Sequence, residues 1–329
     1  MLPKNTLVSP LNATEKFLNG DYILTENQEN IKKEILSYIT SNSTNRFVGL
    51  TGGPGTGKTL VIYDLAKELS VSYSILIVHS GILCAGHEEL NNKLQNVKII
   101  SAKELRYREI NNVDIVIVDE AHRLYTESLE KIERWVKRTK TICIFSYDAG
   151  QMLSRREKFR DTTKKINVIC ANHIFKLTNK IRTNKELALF ITCLFDLSKY
   201  RDDYSFPNAK IIFEPDRVKA KESIEALKQA GYTFISYTPS VFRSYLDDQA
   251  DELNTHNVIG QEFDGVCMML DNHFSYNFSG KLGATDHPNP DYLFTQLLYQ
   301  GLTRVRSKIA IVVTSETILQ NLLPLMKNN

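Results

Sequence analysis

Residues 51–59 read Thr51-Gly52-Gly53-Pro54-Gly55-Thr56-Gly57-Lys58-Thr59, and the apolar run Phe47-Val48-Gly49-Leu50 leads into them. Glycine, four residues, Gly57, Lys58 and Thr59 make the P-loop spacing, followed by the helical pattern Leu60-Val61-Ile62-Tyr63-Asp64-Leu65-Ala66. The residue types suit a phosphate cradle. Gly52, Gly53, Gly55 and Gly57, with Pro54 and Thr56 between them, let backbone N–H groups wrap a polyphosphate, and the following helix N-terminus favours anions. Lys58 is then expected to reach the terminal phosphates, and the Thr59 hydroxyl to sit on Mg²⁺. The alternative, a glycine-rich turn that binds nothing, does not account for the strand before it and the helix after it.

Working outward, Val- and Ile-rich runs recur at Phe47 to Leu50, Ser74 to Val78, Val97 to Ile100, Val113 to Val118 and Thr141 to Phe145. Helical patterns at Leu60 to Leu69 and Thr126 to Val136 lie between them, and this alternation predicts a mainly parallel α/β sheet covered on both faces. A second set follows. Strand-like runs at Ile211 to Phe213, Thr233 to Tyr237, Val266 to Leu270 and Ile309 to Val313 alternate with helical stretches at Asn184 to Leu197, Val218 to Ala230 and Tyr292 to Leu302. Two similar α/β domains are the simplest account, with one large continuous sheet as the alternative. The basic, polar segment Leu153 to Lys165 is the best crossover candidate, so we expect an N-terminal extension over 1–21, a first domain over 22–168 and a second over 169–329.

The composition is that of an ordinary folded chain: 329 residues, 42% hydrophobic and 24% charged. A net charge of +3 is no polycation, so a nucleic-acid surface must come from local clustering. The five cysteines are far apart with no C-x-x-C pair, which implies neither a disulfide framework nor a zinc site and fits a reducing compartment. The first 18 residues lack the apolar core of a leader and no window reaches the length of a membrane span, so a soluble, cytoplasmic chain without membrane contact is expected.

Downstream of the P-loop, the apolar run Ile115-Val116-Ile117-Val118 ends in Asp119-Glu120-Ala121-His122. An acid pair at the carboxyl edge of a doubly wound sheet meets the phosphates, where Asp119 would hold Mg²⁺ through water and Glu120 would act as the base that orients the attacking water. An acidic strand end without that role is the alternative reading.

Gly52 to Thr59 together with Asp119 to His122 resembles the ATPase core of superfamily 1 and 2 helicases. Phe145-Ser146-Tyr147-Asp148-Ala149-Gly150-Gln151 looks like the superfamily 1 motif in which the Gln, here Gln151, faces the γ-phosphate. Leu177 to Asn184 looks like the motif whose Arg, here Arg182, reaches back to the γ-phosphate; Ile181 stands where members carry an adenine-stacking aromatic. His256 to Asp264 resembles the motif in which a Gly, here Gly260, approaches phosphate and a Glu, here Glu262, meets the ribose; Ile259 replaces the usual Gln or Lys. Gln300 to Arg306 looks like the last helicase motif, with Arg304 as arginine finger and Arg306 the runner-up. Leu24 to Gln28 resembles the upstream Gln motif, so Gln28 would read the adenine edge, a surface Gln opening a helix being the alternative.

The resemblance covers roughly residues 22 to 315, and its nearest shade is the Schlafen group-3-like DNA/RNA helicase domain family. It implies two tandem RecA-like domains with the ATP site in the cleft between them, ATP and Mg²⁺ as cofactors, and a single strand of DNA or RNA as partner. Ser80 and Ser101 stand at positions resembling strand-binding motifs, and the basic cluster Arg155, Arg156, Lys158, Arg160, Lys164 and Lys165 is either a phosphate track or a solvated helical face. The gaps between motifs leave little room for the large insertions of processive unwinders. A compact translocase or remodeller is therefore expected, any nuclease or effector activity coming from a protein partner, for instance in a bacterial defence or accessory system. Two other classes remain open: an ATP-gated switch or scaffold that regulates a partner without unwinding, and a P-loop kinase or AAA-like ATPase.

Overall fold

Runs of Val and Ile are stiff at χ1 and pack well on a pleated surface, and in this protein nearly every such run becomes a strand. The computed structural model describes residues 8–41, 45–171, 173–178, 185–238, 253–284 and 292–326. These divide into two compact units. The first takes the described residues of Met1–Met152, Arg156–Ile181 and Ile259–Gln261, and the second those of Leu153–Arg155, Arg182–Val258 and Glu262–Asn329.

In the first unit the elements run α1 (Thr14–Asn19), α2 (Glu26–Thr40), β1 (Phe47–Gly52), α3 (Lys58–Leu69), β2 (Ile75–His79), α4 (Ala85–Lys93), β3 (Val97–Ser101), α5 (Ala102–Leu105), β4 (Ile115–Asp119), α6 (Thr126–Arg138), β5 (Ile142–Tyr147), α7 (Arg155–Arg160), α8 (Thr162–Cys170) and β6 (Ile174–Leu177). The six strands form one sheet in the order β3-β2-β4-β5-β1-β6, with every neighbouring pair parallel. All five residues of β2 and of β4 are buried, as expected where helices cover both faces. Val8, Leu11 and Phe17 are buried with α2 and α3 in one core cluster, so the described residues ahead of α2 are packed into this unit.

The sheet order positions the site. The P-loop leaves the carboxyl end of β1, the acid pair that of β4, and the Asp148 to Gln151 turn that of β5, which lies between them. Three motifs separated in sequence by up to 100 residues thus converge at one sheet edge, the ligand-binding edge of an open α/β sheet.

The second unit runs α9 (Lys185–Phe195), β7 (Ala209–Phe213), α10 (Arg217–Gln229), β8 (Thr233–Phe234), β9 (Phe263–Leu270), β10 (Phe274–Tyr276), β11 (Leu282–Ala284), α11 (Phe294–Leu302), β12 (Val305–Val313) and α12 (Glu316–Met326). Its main sheet has the order β7-β12-β9-β8 and is parallel throughout, while β10 and β11 form a small antiparallel hairpin. Two apolar clusters cover this sheet, one around Phe190, Met268 and Ile311 and one around Ile224, Cys267 and Val312. The expected strand over 233–237 is regular only through Phe234; beyond it Ser236 makes an isolated bridge to Asn254. The basic crossover segment contains a brief excursion, since Leu153–Arg155 belong to the second unit and the chain then returns to the first.

Candidate nucleotide site

The P-loop is shaped by two residues in the left-handed region, Gly55 at φ 78° and Gly57 at φ 80°, and Gly57 is the N-cap of α3. A side chain at either position would be strained by about 1–2 kcal/mol, which accounts for glycine there. The Lys58 ammonium curls back over the loop, donating to the carbonyls of Gly52 at 2.7 Å and Gly53 at 3.1 Å, with Asp148 Oδ2 at 3.8 Å. Thr56 Oγ1 donates to the Gly53 carbonyl at 3.0 Å and tightens the turn.

Gln28 supports the loop from the N-terminal side. Its Oε1 accepts from the Thr25 N–H and its Nε2 donates to the Thr56 carbonyl at 3.1 Å, closing a capping box on α2 while tying that helix to the P-loop. The side chain is buried, and in this arrangement its amide holds the loop.

Asp119 ends β4, and its Oδ1 accepts the Glu120 N–H at 3.0 Å. Its Oδ2 is buried without a hydrogen-bond partner among the described residues. An orphaned carboxylate oxygen and the hydroxyl of Thr59, on the first turn of α3, form a hard-oxygen donor set, and such a set suits Mg²⁺. Glu120 has φ 55° and ψ 40°, a left-handed conformation rare for a residue with a long side chain. The tight exit from β4 is what holds it there, and the carboxylate it presents lies 3.4 Å from His122 Nε2 and 3.7 Å from Arg123 Nε.

His122 joins the acid pair to the turn after β5. Its Nδ1 accepts the Asp148 N–H at 3.2 Å, so Nε2 carries the proton and donates to the Gln151 carbonyl at 3.2 Å. Burial lowers its pKa against the pull of Glu120, and the imidazole is neutral, as this tautomer requires. Arg123 reinforces the link through the Gln151 carbonyl and Glu157. Asp148 Oδ1 accepts the Gly150 N–H at 2.9 Å, and Gln151 is itself buried. The sequence singled out Gln151 for the γ-phosphate and gave His122 no role of its own.

Among the other expected site residues, Arg182 lies outside the described residues. Gly260 belongs to the first unit, at φ 80°. Glu262 belongs to the second, where its Oε2 accepts from Arg306 Nε at 2.9 Å and Nη2 at 2.7 Å. Arg304, between α11 and β12, is 1% exposed and its Nε donates to the Gln300 carbonyl at 3.3 Å. Ser101 spends its hydroxyl as the N-cap of α5. Three segments of the first unit gather an exposed basic and aromatic face that the sequence did not assemble: the guanidinium groups of Arg106 and Arg160 lie 4.1 and 4.2 Å from the ring centroid of Tyr125, with Tyr107 and Phe159 strongly exposed next to them in the chain. Lys131 fixes the first of these segments by donating to the carbonyls of Leu105, Arg106 and Arg108.

The family model described as "Schlafen group 3, DNA/RNA helicase domain" matches residues 45–230, more than half of the chain. The protein belongs to this family. Similar solved structures include a Pif1 helicase from Candida albicans, at 11% identity and TM-score 0.47 over 93% of this chain and all of that one. A second is a Pif1 helicase from a study of DNA unwinding at forked duplexes, at 14% identity and TM-score 0.45 over 89% of this chain and 92% of that one. No curated protein matches the chain. In this Schlafen group 3 domain no described helix is long and apolar enough to cross a membrane.

One pH dependence is built into the same unit. His87 on α4 is buried, and burial together with the neighbouring His79 holds its pKa down to about 2; Cys84 and Tyr63 also face it. The unfolded chain then binds a proton that the folded chain does not, so stability is full above the unfolded value near 6.5 and falls as pH drops below it. Between pH 7 and pH 5, His87 alone is expected to remove about 2 kcal/mol, read as a falling urea midpoint. A His87→Leu protein should lose that slope; an unchanged slope would assign it to other groups.

Proposed function

We propose that this chain is a nucleic-acid-dependent ATPase of the superfamily 1 helicase type, a compact core that couples Mg-ATP hydrolysis to movement along, or remodelling of, single-stranded DNA or RNA. The observation that carries the reading is the joining of Lys58, Asp119, Glu120 and the Asp148 to Gln151 turn at one sheet edge through His122. Polyphosphate chemistry needs those groups in register, since catalysis is mostly positioning and charge stabilisation.

Lys58 would exchange the carbonyls of Gly52 and Gly53 for phosphate oxygens, which offer the ammonium a full opposite charge. Thr59 and Asp119 would hold Mg²⁺, which would supply positive charge against the negative charge developing on the phosphates. Glu120, at the end of β4, would take a proton from the attacking water. His122 would keep the Asp148 to Gln151 turn in register with Glu120, so that Gln151 responds to the terminal phosphate. Arg182 and Arg304 would add positive charge against that developing on the transferred phosphoryl group, and its hydrolysis would be coupled to the strand.

For the polymer, the exposed face of Arg106, Tyr125, Phe159 and Arg160 supplies paired guanidinium groups for phosphates and aromatic rings for bases. The deciding measurement is steady-state ATP hydrolysis with and without single-stranded DNA and, separately, RNA, at low and moderate salt. Stimulation of about tenfold or more by one polymer, weakened by salt, is expected. Phe159→Ala should raise the polymer concentration needed for half-maximal stimulation about tenfold, the loss of one stacking contact. Basal turnover indifferent to both polymers would instead favour an ATP-gated switch acting on a protein partner.

A further inference from the structure

His79 is the last residue of β2, and in the parallel pairing of β2 with β4 it stands directly beside Asp119. Neighbouring strands lie about 4.8 Å apart and paired residues project to the same face, so the register alone brings the imidazole against the carboxylate. Nδ1 lies 3.5 Å from Asp119 Oδ2, and both atoms are fully buried without a hydrogen-bond partner. Two orphaned, complementary atoms this close are short of a good hydrogen bond by about 0.5 Å. Leaving either unpaired in the interior is unfavourable.

The rest of the ring is enclosed. His87 packs on it with ring centroids 4.4 Å apart. A Cβ on Gly81 would come within 2.7 Å of Nε2, and one on Gly260 within 3.7 Å of Cε1. A side chain at Gly81 would push the imidazole out of place, and among the described residues no neighbour offers Nε2 an acceptor. The proton therefore has its use on Nδ1, facing Asp119.

We propose that His79 is the positioning residue for the metal-binding carboxylate. Its Nδ1–H donates to Asp119 Oδ2 while the Glu120 N–H holds Oδ1, so the two donors fix the plane of the carboxylate and its basicity toward Mg²⁺. His79 itself touches neither metal nor nucleotide. Because the ring fills the space that a Cβ on Gly260 would approach, the setting of the Asp119 carboxylate should be sensitive to the segment Ile259–Gln261, the piece of distal chain embedded in this unit. This inference rests on the nucleotide reading of the site given above.

The test uses the full chain and the variants His79→Ala, His79→Asn and His79→Gln. Binding of a fluorescent ATP analogue is titrated with Mg²⁺ and repeated in excess EDTA. In His79→Ala the half-saturating Mg²⁺ concentration should rise about 10- to 100-fold, with EDTA affinity unchanged. Asparagine places its amide nitrogen near the position of Nδ1 and should restore most of the response; glutamine places its own near Nε2 and should not. This pair keeps the test decisive if His79→Ala fails to fold. A wild-type Mg²⁺ response in His79→Ala, or equal behaviour of His79→Asn and His79→Gln, overturns the inference alone. Wild-type protein that binds no nucleotide in a Mg²⁺-dependent way overturns the nucleotide reading and this inference together.

Discussion

Glu120→Gln is expected to bind ATP close to wild-type affinity while turning it over about 10²- to 10⁴-fold more slowly, the usual worth of a positioned general base. Glutamine matches the shape of the side chain, so the left-handed turn after β4 and the Glu120 N–H to Asp119 bond persist. What changes is the ability to accept a proton. The neutral amide also removes the negative charge that competes with the Gln151 carbonyl for the His122 Nε2 proton, Nε2 lying 3.4 Å from the carboxylate. Single-turnover hydrolysis beside equilibrium binding of a fluorescent ATP analogue separates the two effects. Turnover equal to wild type would remove Glu120 from the role of base and leave the acid pair as a purely metal-binding element.

Lys58→Ala should abolish measurable hydrolysis, a loss of about 10³-fold or more, since it removes the ammonium poised over the loop where phosphate charge develops. Binding should weaken as well, because Lys58 meets phosphates in both the ground state and the transition state. The variant also deletes two hydrogen bonds inside the P-loop, worth about 1 kcal/mol each, so a lowered thermal midpoint is expected. Lys58→Arg separates charge from geometry: it keeps the charge but replaces the compact ammonium over the Gly52 and Gly53 carbonyls with a planar fork of different shape and donor geometry. Hydrolysis retained in Lys58→Ala would argue that phosphate is held by backbone N–H groups alone.

The sequence made most of the sheet legible because its buried strands are continuous Val and Ile runs, which composition marks without reference to partners. The P-loop and the acid pair were legible for a related reason: their chemistry is local, fixed by spacing within one turn. What escaped was chemistry assembled across strands. His79 follows an apolar run, and only pairing of β2 with β4 puts it beside Asp119. His122 adjoins the acids, yet its bonds run to backbone atoms of a turn 26 to 29 residues later. Gln28 could be read as opening a helix, but its grip on the Thr56 carbonyl depends on how α2 packs. The face around Tyr125 draws on segments near 106, 125 and 160, each unremarkable alone. The β10–β11 hairpin was missed because three-residue strands give too short a pattern; Gly280, at φ 75°, was its one local sign.

The division of the chain has a practical outcome for anyone wishing to dissect it. The first unit is not a single stretch, because Ile259–Gln261 complete it from the far side of the sequence, and Leu153–Arg155 leave it for the second. Ile259 is 1% exposed, a Cβ on Gly260 would touch Leu11, and the Gln261 amide oxygen accepts from Asn12. A fragment cut after residue 181 would expose the apolar surface that Ile259 covers and leave Asn12 without its distant acceptor. The first unit should therefore not be expressible as a faithful stand-alone domain by truncation after residue 181, and a lowered thermal midpoint of that fragment is the measurement that checks it.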